Sequence, residues 1–251
     1  MIQEYLFELD SKTAAQAITV IGGQAAFIHY LLPGISAKKW GLQHKDPIVL
    51  WLVERTGLIN LQMAFACFLL FFYNFEVRDV MNLVFVTWAL DSLNVALFTT
   101  IPGGNNVLHK RGHWVNFAIS SSILACNFLI PSLGKMATRL ALFWALFNGL
   151  TFTLFPRYGL YQWGLTSDKK GCHEALFRIH GGSLMQIAAF GLSLLGEMDA
   201  TKSLSRAMML QVSQIFFSRY ILHEDEKLGW NKDASNFWIL LYIPAIASLL
   251  G

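Results

Sequence analysis

The chain has 251 residues, of which 55% are hydrophobic and 14% are charged, and its formal net charge is +3. A soluble domain carries about 25% charged residues, so this composition, with a mean hydropathy of +0.45, indicates several long apolar segments. The positive charge is small and scattered, without the basic runs interleaved with aromatic residues that single-strand binders use, and this argues against a nucleic-acid partner.

Apolar segments of helical length recur along the whole chain, and β alternation of useful length is missing. We predict helices at residues 13–32, 47–74, 79–100, 113–132, 138–155, 172–196, 203–223 and 235–250. Proline and glycine separate them. The second, third, sixth and seventh reach the roughly 20 apolar residues that a membrane span needs, whereas the fifth and eighth would be short or partly buried spans. The sequence therefore predicts an all-α integral membrane protein with about eight transmembrane helices.

The two halves of the chain share rare residues at a constant separation. An offset of 123 residues aligns Pro33 with Pro156, Trp40 with Trp163, Gly41 and Leu42 with Gly164 and Leu165, Arg55 with Arg178, and Asp91 with Gln214. We therefore predict two four-helix repeats, residues 1–134 and 135–251, that arose by duplication. Because each repeat has an even number of spans, both enter the membrane from the same side, which makes the repeats parallel rather than inverted.

The loop charges predict an orientation. With eight spans, the face that bears both termini carries six basic residues: Lys12, Arg78, Lys135, Arg139, Lys202 and Arg206. The opposite face carries ten: Lys38, Lys39, Lys45, Lys110, Arg111, Arg157, Lys169, Lys170, Lys227 and Lys232. The positive-inside rule then places both termini on the lumenal or outer side. The acidic first residues, MIQEYLFELDSK, do not resemble a secretory signal, and we expect an organelle or endomembrane location.

Charged residues inside apolar helices are the candidate polar sites. Arg55 and Arg178 lie at the same depth in the second and sixth predicted helices, and Asp91 interrupts the apolar run FVTWALDSLNVALF. A buried carboxylate needs a partner or becomes protonated. Because the second and third helices are antiparallel, Arg55 and Asp91 lie at nearly equal depth and are expected to pair, with Arg178 meeting Gln214 in the second half. We expect Glu54 not to pair with Arg55, since neighbouring side chains on a helix diverge by about 100°. These polar residues are interpreted as structural pins or as a clamp for a ligand.

Histidines suggest a cofactor less strongly. His29, His180 and His113 fall in predicted helices or at their ends. A helical histidine can bind the iron of haem or the magnesium of chlorophyll, but an interfacial hydrogen bond is the more common role. The three cysteines, Cys67, Cys126 and Cys172, have no metal-ligand spacing and are expected to be reduced thiols. No metal site is predicted, and lipid is the expected bound molecule.

Each half has a loop with proline and tryptophan followed by a helix with an arginine and a glycine, RIHG in the second half and RTG in the first. This arrangement resembles small four-helix integral membrane protein families of unknown function that carry Arg-x-x-Gly, here present as a tandem duplication. The resemblance implies a helical bundle and no activity.

The sequence shows no nucleophile elbow, phosphate-binding loop or dinucleotide fingerprint in a suitable context. We therefore expect a non-enzymatic structural or accessory subunit of a photosynthetic or respiratory-type membrane complex, in contact with the bilayer and with other subunits. The alternative is a carrier, binder or enzyme for a lipophilic small molecule in a cleft between the repeats.

Overall fold

The computed structural model describes residues 10–42, 45–101, 104–168 and 171–223, together with isolated helical residues between 236 and 249. All regular structure in these residues is helical. The helices are α1 (Ser11–Leu31), α2 (Pro33–Lys39), α3 (Pro47–Tyr73), α4 (Val77–Phe98), α5 (Asn106–Leu129), α6 (Pro131–Leu154), α7 (Pro156–Gln162), α8 (Cys172–Leu195) and α9 (Ala200–Phe216), and a π-helical turn, Phe217–Ile221, continues α9.

Aspartates begin three of the long helices. Asp10 accepts hydrogen bonds from the first amides of α1, Asp46 from those of α3, and Asp199 from those of α9, at 2.8–3.3 Å. A side-chain oxygen at this position satisfies amides that have no partner inside the helix. In α3 the cap is followed by Pro47, whose fixed φ suits the first helical position.

The predicted segments are helical where the structure describes them, with different limits for two. Helices α5 and α6 each begin seven residues earlier than predicted, at Asn106 and Pro131. The predicted last segment, 235–250, lies largely outside the described residues, although those that are described in it are helical. By length and composition, α3 and α4 can span a membrane, and up to four spans result if the bent pairs α1–α2 and α6–α7 each count as one.

The two short helices were not predicted, because the prolines that begin them look like helix breakers. The chain bends by 110° at Pro33 and by 119° at Pro156 and then resumes a helix of seven residues. Each short helix ends in the same turn. Gly41 and Gly164 have φ of +78° and +69°, which only glycine adopts without strain, and the amide of the next residue bonds back to the helix at 2.9 and 2.8 Å.

Each half of the chain contains one closely packed pair of helices. Helix α1 packs on α3 and α6 packs on α8. At the first crossing a Cβ on Gly57 would lie 2.6 Å from the Tyr30 amide nitrogen, and at the second a Cβ on Gly181 would lie 2.7 Å from the Gly149 carbonyl oxygen. These glycines belong to the RTG and RIHG segments, and their missing side chains let the helix backbones approach.

Apolar residues cover both the inside and the outside of the bundle. One core cluster centres on Phe85 of α4 and Phe190 of α8, and another on Trp51, Phe152 and Phe177. One face of α6 remains exposed and apolar over its whole length, through Leu140, Phe143, Phe147, Leu150 and Leu154. A continuous exposed apolar stripe of this kind is compatible with contact to lipid or to another protein.

Candidate functional site

Arg55 lies in the interior of the bundle with 7% of its surface exposed. Its guanidinium donates one hydrogen bond to Asp91 of α4 and another to Glu54, its neighbour in α3. The expectation that Glu54 would not pair with Arg55 is therefore wrong. The Cβ atoms of neighbouring residues diverge on a helix, but both side chains are long enough for their ends to converge. The result is one cation held by two carboxylates.

The equivalent arginine of the second half has different partners. The Arg178 guanidinium donates to the carbonyl oxygen of Thr153 in α6. Gln214 of α9 does contact Arg178, but its side-chain amide donates to the Arg178 carbonyl oxygen at 3.2 Å. The Gln214 side chain also lies where a Cβ on Gly182 would be, with 2.2 Å between that Cβ and Oε1. Both predicted pairs are thus in contact. Arg55 and Asp91 bond through their side chains, whereas the Gln214 side chain bonds to the main chain of Arg178.

Arg55 and Asp91 line a cavity of about 520 Å³ among helices α3 to α8. Its walls are mainly apolar and include the indole rings of Trp51, Trp88 and Trp163. Cavities of several hundred Å³ with apolar walls and a few polar groups are the usual form of a small-molecule site. We call it the larger cavity.

Several buried nitrogens at the larger cavity have no hydrogen-bond partner among the described residues: Trp51 Nε1, Arg55 Nε, Gln62 Nε2 and both ring nitrogens of His113. Indole and guanidinium nitrogens can only donate. The Gln62 oxygen accepts from Trp88 Nε1 at 2.5 Å, which leaves the Gln62 amide nitrogen as a donor too. Because an unpaired buried polar group costs free energy, this concentration of donors in one place favours a ligand that brings acceptor oxygens.

His113, which lines the larger cavity, is one of a pair of buried histidines. His109 and His113 lie one turn apart on α5, are 0% and 3% exposed, and have ring centroids 4.7 Å apart. The His113 ring also lies 4.7 Å from that of Trp163, and His109 Nδ1 lies 3.1 Å from the Trp163 carbonyl oxygen. The i, i+4 spacing of the two residues in HKRGH puts both side chains on one helix face, so the expectation that the sequence holds no i, i+4 histidine pair is wrong.

The two histidines considered as cofactor ligands lie in different cavities. His180 is 6% exposed, lines the larger cavity, and has Nδ1 3.4 Å from the Thr56 hydroxyl. His29 lines a second, smaller cavity, with Nδ1 3.0 Å from the Ser36 hydroxyl and its ring against Trp40. Among the described residues, no group of three or more His, Cys, Asp or Glu side chains is arranged to hold a metal ion. Haem or chlorophyll ligation stays a prediction.

Outside the cavities, a histidine joins the starts of two long helices. His173 Nε2 lies 2.9 Å from the carboxylate of Asp46, and His173 Nδ1 lies 2.6 Å from the Thr166 carbonyl oxygen. Burial raises the pKa of Asp46, but the hydrogen bonds from His173 and from the Ile48 amide outweigh it and hold that pKa below its usual value. This contact fixes the beginning of α3 against the beginning of α8.

No family model, curated protein or solved structure matches this chain. The resemblance to four-helix membrane protein families therefore stays a prediction, and the geometry of the larger cavity is the basis for a functional proposal.

Proposed function

We propose that this protein is an integral membrane protein that binds a lipophilic small molecule with carbonyl-type oxygen atoms in the larger cavity. The observation that carries the proposal is the set of buried, unpartnered N–H donors, from Trp51, Arg55, Gln62 and His113, around one apolar space. A bundle interior stabilised by packing alone would place apolar side chains there, because each unsatisfied donor costs about 1–3 kcal/mol.

The shape and chemistry of the walls narrow the ligand class. A volume of about 520 Å³ accommodates a molecule of drug size, and indole faces suit a flat or ring-containing body. The charge of Arg55 is already balanced by Asp91 and Glu54, so the cavity favours a neutral carbonyl compound over an acid. Arg111, which lies exposed at the edge of the cavity, can interact with a polar group at the entrance.

We also propose that the chain consists of two parallel four-helix repeats, residues 1–134 and 135–251, with eight spans in all. Several helix limits support this at the 123-residue offset. The first and last residues of α7 lie 123 residues after those of α2. Likewise α4, Val77–Phe98, corresponds to α9 and its π-helical turn taken together, which extend from Ala200 to Ile221. An even number of spans in each repeat would put both termini on one side of the membrane, the lumenal or outer side by the positive-inside rule.

An accessory subunit of a larger membrane complex is the second candidate. The apolar stripe along α6, from Leu140 to Leu154, favours it, since a partner helix would bury such a surface as well as lipid does. Purification in mild detergent with mass spectrometry of the co-purifying proteins tests this candidate. If the protein is recovered without other proteins, this candidate is contradicted and the apolar stripe is a lipid-facing surface.

The binding proposal is tested by equilibrium titration of the purified protein with menadione, a neutral ring dione, and with 2-methylnaphthalene, which has the same ring system without the oxygens. Four tryptophans line the larger cavity, so their fluorescence quenching by menadione follows occupancy, and isothermal calorimetry measures both compounds. We expect saturable binding of menadione and much weaker binding of the hydrocarbon.

Matched glutamine variants locate the bound molecule. Gln62→Leu removes a donor from the larger cavity and should weaken menadione binding roughly three- to tenfold, the loss of one hydrogen bond. Gln186→Leu removes an equally buried glutamine that lines the smaller cavity and should leave the affinity unchanged. Equal affinity for menadione and 2-methylnaphthalene, or equal effects of both variants, would contradict the proposal.

A further inference from the structure

The smaller cavity, about 160 Å³, lies among α1, α3, α8 and α9. Three polar atoms at its wall are buried and have no hydrogen-bond partner in the described part of the chain: Gln211 Oε1, Gln214 Oε1 and Ser218 Oγ. The three residues are 5–9% exposed. The smaller cavity therefore has its own unsatisfied polar groups, and it shares none of them with the larger one.

Each cavity is lined by helices from both halves of the chain, and the 123-residue offset relates the lining of one cavity to that of the other. At the 123-residue offset, Trp163 and Asp91 of the larger cavity correspond to Trp40 and Gln214 of the smaller one. Further pairs follow the same offset: Trp88 with Gln211, Ile119 with Tyr242, and Ala145 with Gly22. These pairs come from four corresponding segments of the chain, so the smaller cavity is a second copy of the same structural site with different polar residues.

The exchanged residues reverse the hydrogen-bonding character. In the larger cavity the unpaired atoms of Trp51, Arg55 and Gln62 are donors, whereas in the smaller cavity two of the three unpaired atoms are glutamine oxygens, which accept. The Gln214 orientation is fixed because its amide nitrogen donates to the Arg178 carbonyl oxygen, which leaves Oε1 as the free end. Close packing against Gly182 holds the side chain in this position.

We propose that the smaller cavity binds the hydroxyl group of an amphipathic alcohol, with the O–H donating to Gln214 Oε1 or Gln211 Oε1 and the apolar body lying between α1 and α9. A hydroxyl satisfies a buried acceptor and can itself accept from Ser218. The small volume suits a head group or a short chain. This inference does not depend on what the larger cavity binds.

Photolabelling of the full-length protein in lipid nanodiscs tests the site. The probe is a diazirine derivative of 1-octanol, and its methyl ether, which cannot donate a hydrogen bond, is the control. Mass spectrometry should locate alcohol adducts on peptides that contain Gly22 to His29 and Gln211 to Ser218. The ether should give roughly two- to tenfold fewer adducts there, which corresponds to the loss of one hydrogen bond.

Variants separate the two cavities. Gln214→Leu and Gln211→Leu should each reduce alcohol labelling at these peptides to the level of the ether, whereas Gln62→Leu, in the larger cavity, should leave it unchanged. If either variant fails to fold, the other variant still tests the site. The comparison of alcohol with ether on the unmodified protein tests it independently of both variants. Equal labelling by the two probes, or adducts confined to the exposed face of α6, would overturn the inference.

Discussion

Asp91 of α4 accepts a hydrogen bond from the guanidinium of Arg55 in α3, 36 residues earlier in the chain. Gln214 contacts Arg178 at the same separation of 36 residues. Only the first pair is ionic, and it lies beside a cavity rather than in a dry core. The stability of the bundle and the polarity of that cavity consequently depend on the same two side chains.

Removal of one partner of the Arg55–Asp91 pair should destabilise the protein more than removal of both. Breaking a buried pair costs about 3–5 kcal/mol, whereas replacing both partners with apolar residues can be nearly neutral. We expect Arg55→Leu to be the more severe single change, because it leaves two carboxylates without their cation, and Asp91→Leu to be milder because Glu54 remains. Thermal unfolding in detergent of both single variants and the double variant measures this.

The double variant also decides whether Arg55 and Asp91 stabilise the fold as a pair. Recovery of part of the loss in Arg55→Leu/Asp91→Leu indicates a coupled pair, whereas additive losses would show two independent residues. Arg178→Leu is the matched control. It removes a hydrogen bond to the Thr153 carbonyl oxygen, and the loss of one such bond is expected to cost about 1 kcal/mol.

Gly57→Ala should loosen the crossing of α1 and α3. The added Cβ would lie 2.6 Å from a backbone nitrogen and 2.8 Å from His29 atoms, so the helices must separate and a loss of about 1–3 kcal/mol follows. Gly22→Ala, in α1, places a Cβ where nothing lies within 4 Å and should stabilise by about 0.5–1 kcal/mol through helix propensity. Equal melting temperatures for the two variants would show that this crossing does not require glycine.

The pH dependence of stability should change in Asp46→Asn. Because the folded-state pKa of Asp46 lies below its ordinary value of 3.8, the carboxylate stabilises the fold above that value, and the contribution disappears as the pH falls through the lowered pKa. Asparagine still caps a helix well, so the variant isolates the charge. We expect it to be less stable by about 1 kcal/mol at neutral pH, and the difference should shrink as the pH falls below 3.8 and vanish once the pH is below the lowered folded-state pKa. A difference independent of pH would contradict this.

Epitope tags at the two termini should react together with a membrane-impermeant reagent in intact vesicles, or be protected together. This follows from the proposed eight spans in two parallel halves. A protein labelled at one terminus alone would have an odd number of spans. Permeabilised vesicles, in which both tags react, are the control for accessibility.

Several features of the fold could be predicted from the residues, because they depend on local rules. Helix limits follow from apolar length and from Asp caps, and the meeting of Arg55 with Asp91 follows from equal depth in antiparallel helices. The contact with Glu54 could not be predicted from the angle between Cβ atoms, since side-chain length decides it. The short helices α2 and α7 could not be predicted either. A proline is found both after the end of a helix and at the first position of a new one, so its presence alone does not show that a second helix follows.

A cleft between the two halves was one expectation from the sequence, but the helices that line each cavity could not be predicted. The larger one combines α3 to α5 with α6 to α8, and no local pattern states which helices from the two halves become neighbours. The histidine pair on α5 did have a local signal, the spacing of His109 and His113. Its position opposite Trp51 and Trp163 depends on that packing.

The bend at Pro156 gives Arg178 a role that its counterpart does not have. Because α6 ends at Leu154, its last carbonyl groups have no amides ahead of them in the same helix, and they lie at the negative end of the helix dipole. The Arg178 guanidinium donates to one of them, at Thr153. Its positive charge thus interacts with the negative end of α6. Arg55 thus joins an ion pair, whereas Arg178 satisfies a carbonyl group at the end of a helix.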